Sequence, residues 1–129
     1  MYEPIRNKSV HRMAVDRADF PHRSREEELN IQLAGHLAAL LAVTDELGLA
    51  AAADRIATQI ARLRGAPPAR HAGLSHAAPM TLHRRAHELA GRALVVAASR
   101  ADTAVAILAA ERMDAHAAAL EELRLVGAH

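Results

Sequence analysis

The chain has 129 residues, 51% of them hydrophobic, and its 16 basic and 15 acidic residues leave a formal net charge of +1. That length is one domain's worth of chain, and the balanced charge argues against a nucleic-acid partner, which calls for a basic excess or stripe. The absence of cysteine excludes disulfides, thiolate metal sites and cysteine nucleophiles.

Alanine makes up roughly a quarter of the residues, against less than about a tenth in ordinary globular chains. The only aromatics are Tyr2 and Phe20. The core must therefore be leucine, isoleucine, valine and alanine. Alanine removes little apolar area from water, and stabilisation scales at roughly 25 cal/mol per Å², so tight helix packing with modest monomer stability is expected.

Residues 1–22 carry Pro4 and Pro21 and no periodic apolar pattern, which predicts a flexible N-terminal tail. The first residues, MYEPIRNKSVHRM, have no apolar run of the secretory kind. Residues 33–44 are uncharged but too short to span a bilayer, and the apolar stretch 93–110 is interrupted by Arg100 and Asp102. A cytoplasmic protein with no membrane segment is expected.

The remainder, 23–129, reads as one all-α domain. A first helix over 24–47 opens on Ser24 and Glu27, spaced as a capping box. Glu26, Glu27 and Glu28 in its first turn suit the helix dipole. Leu29, Leu33, His36, Leu37, Leu40, Thr44 and Leu47 recur on one face, and Gly48 ends it. A second helix over 51–64 carries Ala53, Ile56, Ile60 and Leu63 and stops at Gly65. The short connection makes 24–64 an αα-hairpin.

Three prolines and two glycines over 65–79 predict a linker. A third helix over 80–99 aligns Leu82, Ala86, Leu89, Ala93 and Val96. A fourth over 103–126 aligns Val105, Leu108, Ala109, Ala119, Leu120 and Leu123. No Gly or Pro separates these two, but Asp102 is a good N-cap, so a break near 100–102 and a second hairpin over 80–126 are expected. Two hairpins make a four-helix bundle.

Nine histidines are many for this length. His36 and His116 fall on apolar stripes. His83 and His87, four apart, share one side of the third helix, a spacing by which helices present metal. One reading brings His36, either His83 or His87, and His116 together around a transition metal, with Glu111 and Asp114 near enough in sequence to add oxygen ligands. The plainer reading gives hydrogen-bonded, partly buried histidines on the stripes and a solvated flank at His83 and His87. Arg112 also falls on the apolar stripe, one turn before His116. A buried guanidinium needs a partner, and Glu46, Asp54 or Glu88 are candidates.

No serine lies in a nucleophile elbow, and there is no phosphate-binding glycine loop, so no enzyme is expected and no cofactor is implied. The stretches HRSREEELNIQLAGHLAALLAVTDELG and GRALVVAASRADTAVAILAAERMDAHAAALEEL resemble small Ala/Arg-rich helical proteins of high-GC actinobacteria, a resemblance that implies a helical fold and brings no ligand or catalytic residue. The expected function is a non-catalytic helical interaction or regulatory module that self-associates and meets a protein partner. The alternative is a small metal- or ligand-binding bundle using inward histidines.

Overall fold

The computed structural model describes residues 24–71 and 76–127, which form four helices: α1 (Arg25–Glu46), α2 (Ala50–Arg64), α3 (Pro79–Ser99) and α4 (Thr103–Gly127). Each lies within one residue of its predicted bounds, and no strand occurs among the described residues. The expected tail, 1–22, lies outside them.

The helix ends follow from local chemistry. The Ser24 hydroxyl accepts from the Glu27 N–H at 3.1 Å, and the Glu27 carboxylate accepts from the Ser24 N–H at 2.8 Å, closing the predicted capping box. α1 ends in a Schellman motif: the Leu49 N–H donates to the Thr44 carbonyl and Gly48 takes φ +74°. Gly65, at φ +78°, stops α2, and its N–H donates to Ala61 O. Pro79 occupies the first turn of α3, where no N–H is needed.

The break between α3 and α4 is real and is built without glycine. The Asp102 N–H donates to Ala97 O and the Ala101 N–H to Ala98 O. This is again a Schellman motif, but Ala101 fills the left-handed position, at φ +57°. Asp102 then caps α4 by accepting from the Val105 N–H at 3.2 Å.

Three ion pairs define the topology. Arg62, near the end of α2, chelates Asp102 with contacts of 3.0 and 2.8 Å, so α2 ends beside the α3–α4 turn. Arg55 pairs with Glu111 at 2.6 Å further along the same seam. Arg70 reaches back to Asp45 at the end of α1, at 2.8 Å. The connection after Gly65 therefore doubles back along α2, and α3 starts at the Asp45 end of the bundle. α1 and α4 run one way, α2 and α3 the other. Helix α3 packs on both α4 and α1, and α1 packs on α2. The α2–α4 seam is the thinnest and is bridged by the long side chains of Arg55 and Arg62.

The core is as the composition requires. Leu33, Leu37, Leu40, Leu41, Ile56, Ile60 and Val105 are fully enclosed, and Ala53, Ala86, Ala90, Ala93, Ala97 and Ala109 fill the close approaches. Thr44 joins this core with its hydroxyl donating to Leu40 O at 2.7 Å, which satisfies it locally.

Candidate functional site

The polar feature of the interior lies between α3 and α4 near the Asp45 end. His116 is 0% exposed. Its Nδ1 stands 2.9 Å from Nδ1 of His83, and its Nε2 stands 3.3 Å from Nη2 of Arg112. The ring centroids are 5.1 Å apart. The N···N separation accounts for nearly all of that once the two ring radii are added, so the nitrogens meet nearly head-on.

These contacts fix the protons. A guanidinium only donates, so Nε2 of His116 is an acceptor. His116 is then neutral with its proton on Nδ1, and donates to Nδ1 of His83. His83 in turn carries its proton on Nε2. The chain of donation runs Arg112 to His116 to His83. Burial, followed by the charge of Arg112 and the neighbouring imidazoles of His83 and His87, pushes the His116 pKa down to about 4. Burial and then Arg112 lower that of His83 as well.

The four histidines of the metal reading do not converge. His83 and His116 meet. His36 is only half-buried on the flank of the α1 stripe, lowered in pKa first by burial and then by Arg92 of α3. His87 lines a separate cavity of about 340 Å³ with Met80, Arg84, Ala117 and Leu120. Glu111 is engaged by Arg55, and Asp114 is exposed. Among the described residues, no three His, Cys, Asp or Glu side chains are placed to hold one ion. His36 lies at the edge of the α1 face, whose buried residues are Leu33, Ala34, Leu37, Leu40, Leu41, Val43 and Thr44. The expectation of a solvated flank fails at His83, since α4 crosses over it.

Arg112 does sit on the interior stripe, half-buried, but finds none of the expected carboxylates. Its Nη2 contacts His116, and its Nε is buried with no hydrogen-bond partner. Burial, and then the nearby charge of Arg55, lowers its pKa, with Glu111 opposing.

Two features escaped the sequence reading. One is the Arg62–Asp102 pair, which ties three helices at one point. Burial pushes the Asp102 carboxyl up, but Arg62, the Val105 N–H and Arg100 together hold it below the ordinary carboxylate value. The other is the outer face of the α3–α4 hairpin. Val95 is 66% exposed on α3 and Ile107 54% exposed on α4. Beside Ile107 lies a hollow of about 290 Å³ walled by Ala97, Ala98, Ala101, Asp102, Thr103, Ala106 and Ala110. A second apolar stripe was present in the sequence at Gly91, Leu94, Val95 and Ala98, opposite the stripe assigned to the core.

The chain matches no family model, no curated protein and no solved structure. Function therefore rests on the residues alone.

Among the described serines, Ser24 caps α1 and Ser99 donates to Val95 O. Both ring nitrogens of His116 are engaged, one by His83 and the other by Arg112. No described helix is long and apolar enough to cross a membrane.

Proposed function

We propose that this protein is a non-catalytic helical interaction module of the cytoplasm that works as a self-associated assembly. The supporting observation is the large, exposed aliphatic side chain of Ile107 in an alanine-lined hollow that also includes Asp102, with Val95 exposed on the neighbouring helix of the same hairpin. Isolated exposed aliphatics are ordinary, but a contiguous apolar patch marks an interaction surface. The thin alanine core supplies the motive: apposing two copies buries apolar area that one copy leaves wet. Light scattering or sedimentation across a concentration series tests this. A mass that rises above the 13.8 kDa of one chain is expected, and a monomer throughout would overturn the reading.

The second reading, a metal- or ligand-binding bundle, draws on the His83–His116 contact. It must contend with Arg112. While the guanidinium occupies the Nε2 lone pair, the Nδ1 of His116 carries a proton and has no lone pair for a metal. Metal analysis of untagged protein decides between the two: stoichiometric metal, lost in His116→Leu, would favour the second.

A further inference from the structure

Where the start of α3 meets the end of α4, the hairpin carries a hollow of about 470 Å³. Pro79, Ala119, Leu123, Leu125 and Val126 supply its apolar walls, and His83 and Glu122 are its polar members. That volume falls within the range of small-molecule sites, which are mostly apolar with a few placed polar groups. At about 30 Å³ per water it corresponds to roughly 15 waters, room for a chain of medium length.

The polar chemistry of this hollow is set from inside the bundle. His83 is not free to present either nitrogen: its Nδ1 accepts from His116, which Arg112 holds from behind. In an imidazole the second nitrogen lies across Cε1 from the first. The Nε2–H of His83 is therefore turned away from His116, and it has no partner among the described residues. The ring stays neutral, because burial and then Arg112 disfavour its protonation. His83 is thus an uncharged donor of fixed tautomer, at the end of a chain of hydrogen bonds that begins at a guanidinium. Glu122 is an exposed acceptor. Unlike Glu121, which Arg124 holds, it has no ion-pair partner among the described residues.

One fixed donor and one carboxylate above apolar walls select a head group that both accepts and donates. A carboxylate would meet Glu122. An ammonium would meet the Nε2–H, with Arg112 behind it. A hydroxyl suits both. We propose that this hollow binds a neutral aliphatic alcohol of medium chain length, its oxygen accepting from His83 Nε2–H, its proton donated to Glu122, and its chain lying against Pro79, Leu123 and Val126. The hollow beside Ile107 offers instead Asp102, already held by Arg62, and the one at His87 is ringed by Arg84, Glu121 and Arg124. The proposal develops the ligand side of the second reading above, requires no metal and does not depend on self-association.

1-Octanol is the probe. Titrated into the full chain and followed by methyl NMR, it is expected to shift the Ala119, Leu123, Leu125 and Val126 methyls saturably, and to bind more tightly than octanoate or octylammonium. Ala119→Phe, which fills the hollow from a half-buried position, is expected to abolish binding while circular dichroism stays helical. Glu122→Gln, at an exposed position, keeps an acceptor and removes the charge. It is expected to leave 1-octanol affinity within about threefold, less than the loss of a whole hydrogen bond, while raising octanoate affinity. No saturable shift up to the solubility limit of 1-octanol, or shifts that persist in a helical Ala119→Phe, overturns the site. Octanoate binding as tightly as 1-octanol and unaffected by Glu122→Gln overturns the assigned head group. Stoichiometric metal that is lost in His116→Leu, with no binding of 1-octanol, would keep the second reading and overturn this site, so the two fail separately.

Discussion

At the residue scale, His116 is the most informative side chain. The unfolded chain takes up its proton near 6.5, whereas the folded pKa is about 4. The unfolded state thus binds more protons between these values. The contribution of His116 is complete above pH 6.5 and is lost as pH falls toward 4, by up to about 3 kcal/mol. Chemical denaturation from pH 7 to 4 should show that decline, and His116→Leu should flatten it. Imidazole resonances followed by NMR supply a direct check, a His116 midpoint at the ordinary 6.5 being the contrary result. In Arg112→Leu that midpoint should move up from about 4 without reaching 6.5, because burial outweighs the Arg112 charge as its cause. Ala101 offers a different test. A left-handed backbone disfavours any residue with a Cβ, so Ala101→Gly is expected to stabilise by about 1 kcal/mol, read from the denaturation midpoint.

At the scale of elements, the ends of the helices carry much of the specification. Ser24→Ala removes one arm of the α1 capping box and should lower stability by about 1 kcal/mol. Asp102→Ala should be more damaging, about 2 kcal/mol. It takes away the α4 cap and the Arg62 partner together, at the junction of α2 with the α3–α4 hairpin. Equal losses in thermal or urea unfolding of the two variants would show that the Arg62 pair adds nothing beyond capping. Residues 65–71 are held differently. The Arg70 guanidinium first, and the His71 N–H as well, hold the Asp45 carboxyl below its usual value against the opposing pull of burial. Asp45→Asn should therefore raise amide exchange along 65–71 while the amides of α1 to α4 stay protected.

At the scale of the whole molecule, self-association would couple stability to concentration. A partner that binds only the folded chain raises its melting temperature by mass action. The melting temperature should climb with protein concentration in the wild type and stay flat in Ile107→Glu. The same thinness of the core that makes a second copy useful makes α2 and α4 lean on arginine bridges, so added salt should weaken that seam before it affects the leucine-rich α1–α3 contact.

The four helices were legible in the sequence because their causes are local. The apolar spacing of Leu33, Leu37 and Leu40, the Ser24–Glu27 box and the glycines at 48 and 65 act within a few residues of themselves. Even the α3–α4 break was signalled by Asp102, although the residue that turns the chain, Ala101, gives no signal of its own. What the sequence could not decide was which side of each helix its neighbours would occupy. His36 and His83 lie close to the edges of their stripes, and a small rotation moves one toward solvent and the other under α4. The Arg112–His116–His83 chain joins residues 33 apart across two helices, so no local spacing announces it. The outer stripe through Val95 and Ile107 was visible as letters, but only packing showed that α1 and α2 take the opposite faces and leave it bare. Periodicity and capping are written along the chain, whereas helix rotation and pairing are set by the joint packing of all four helices.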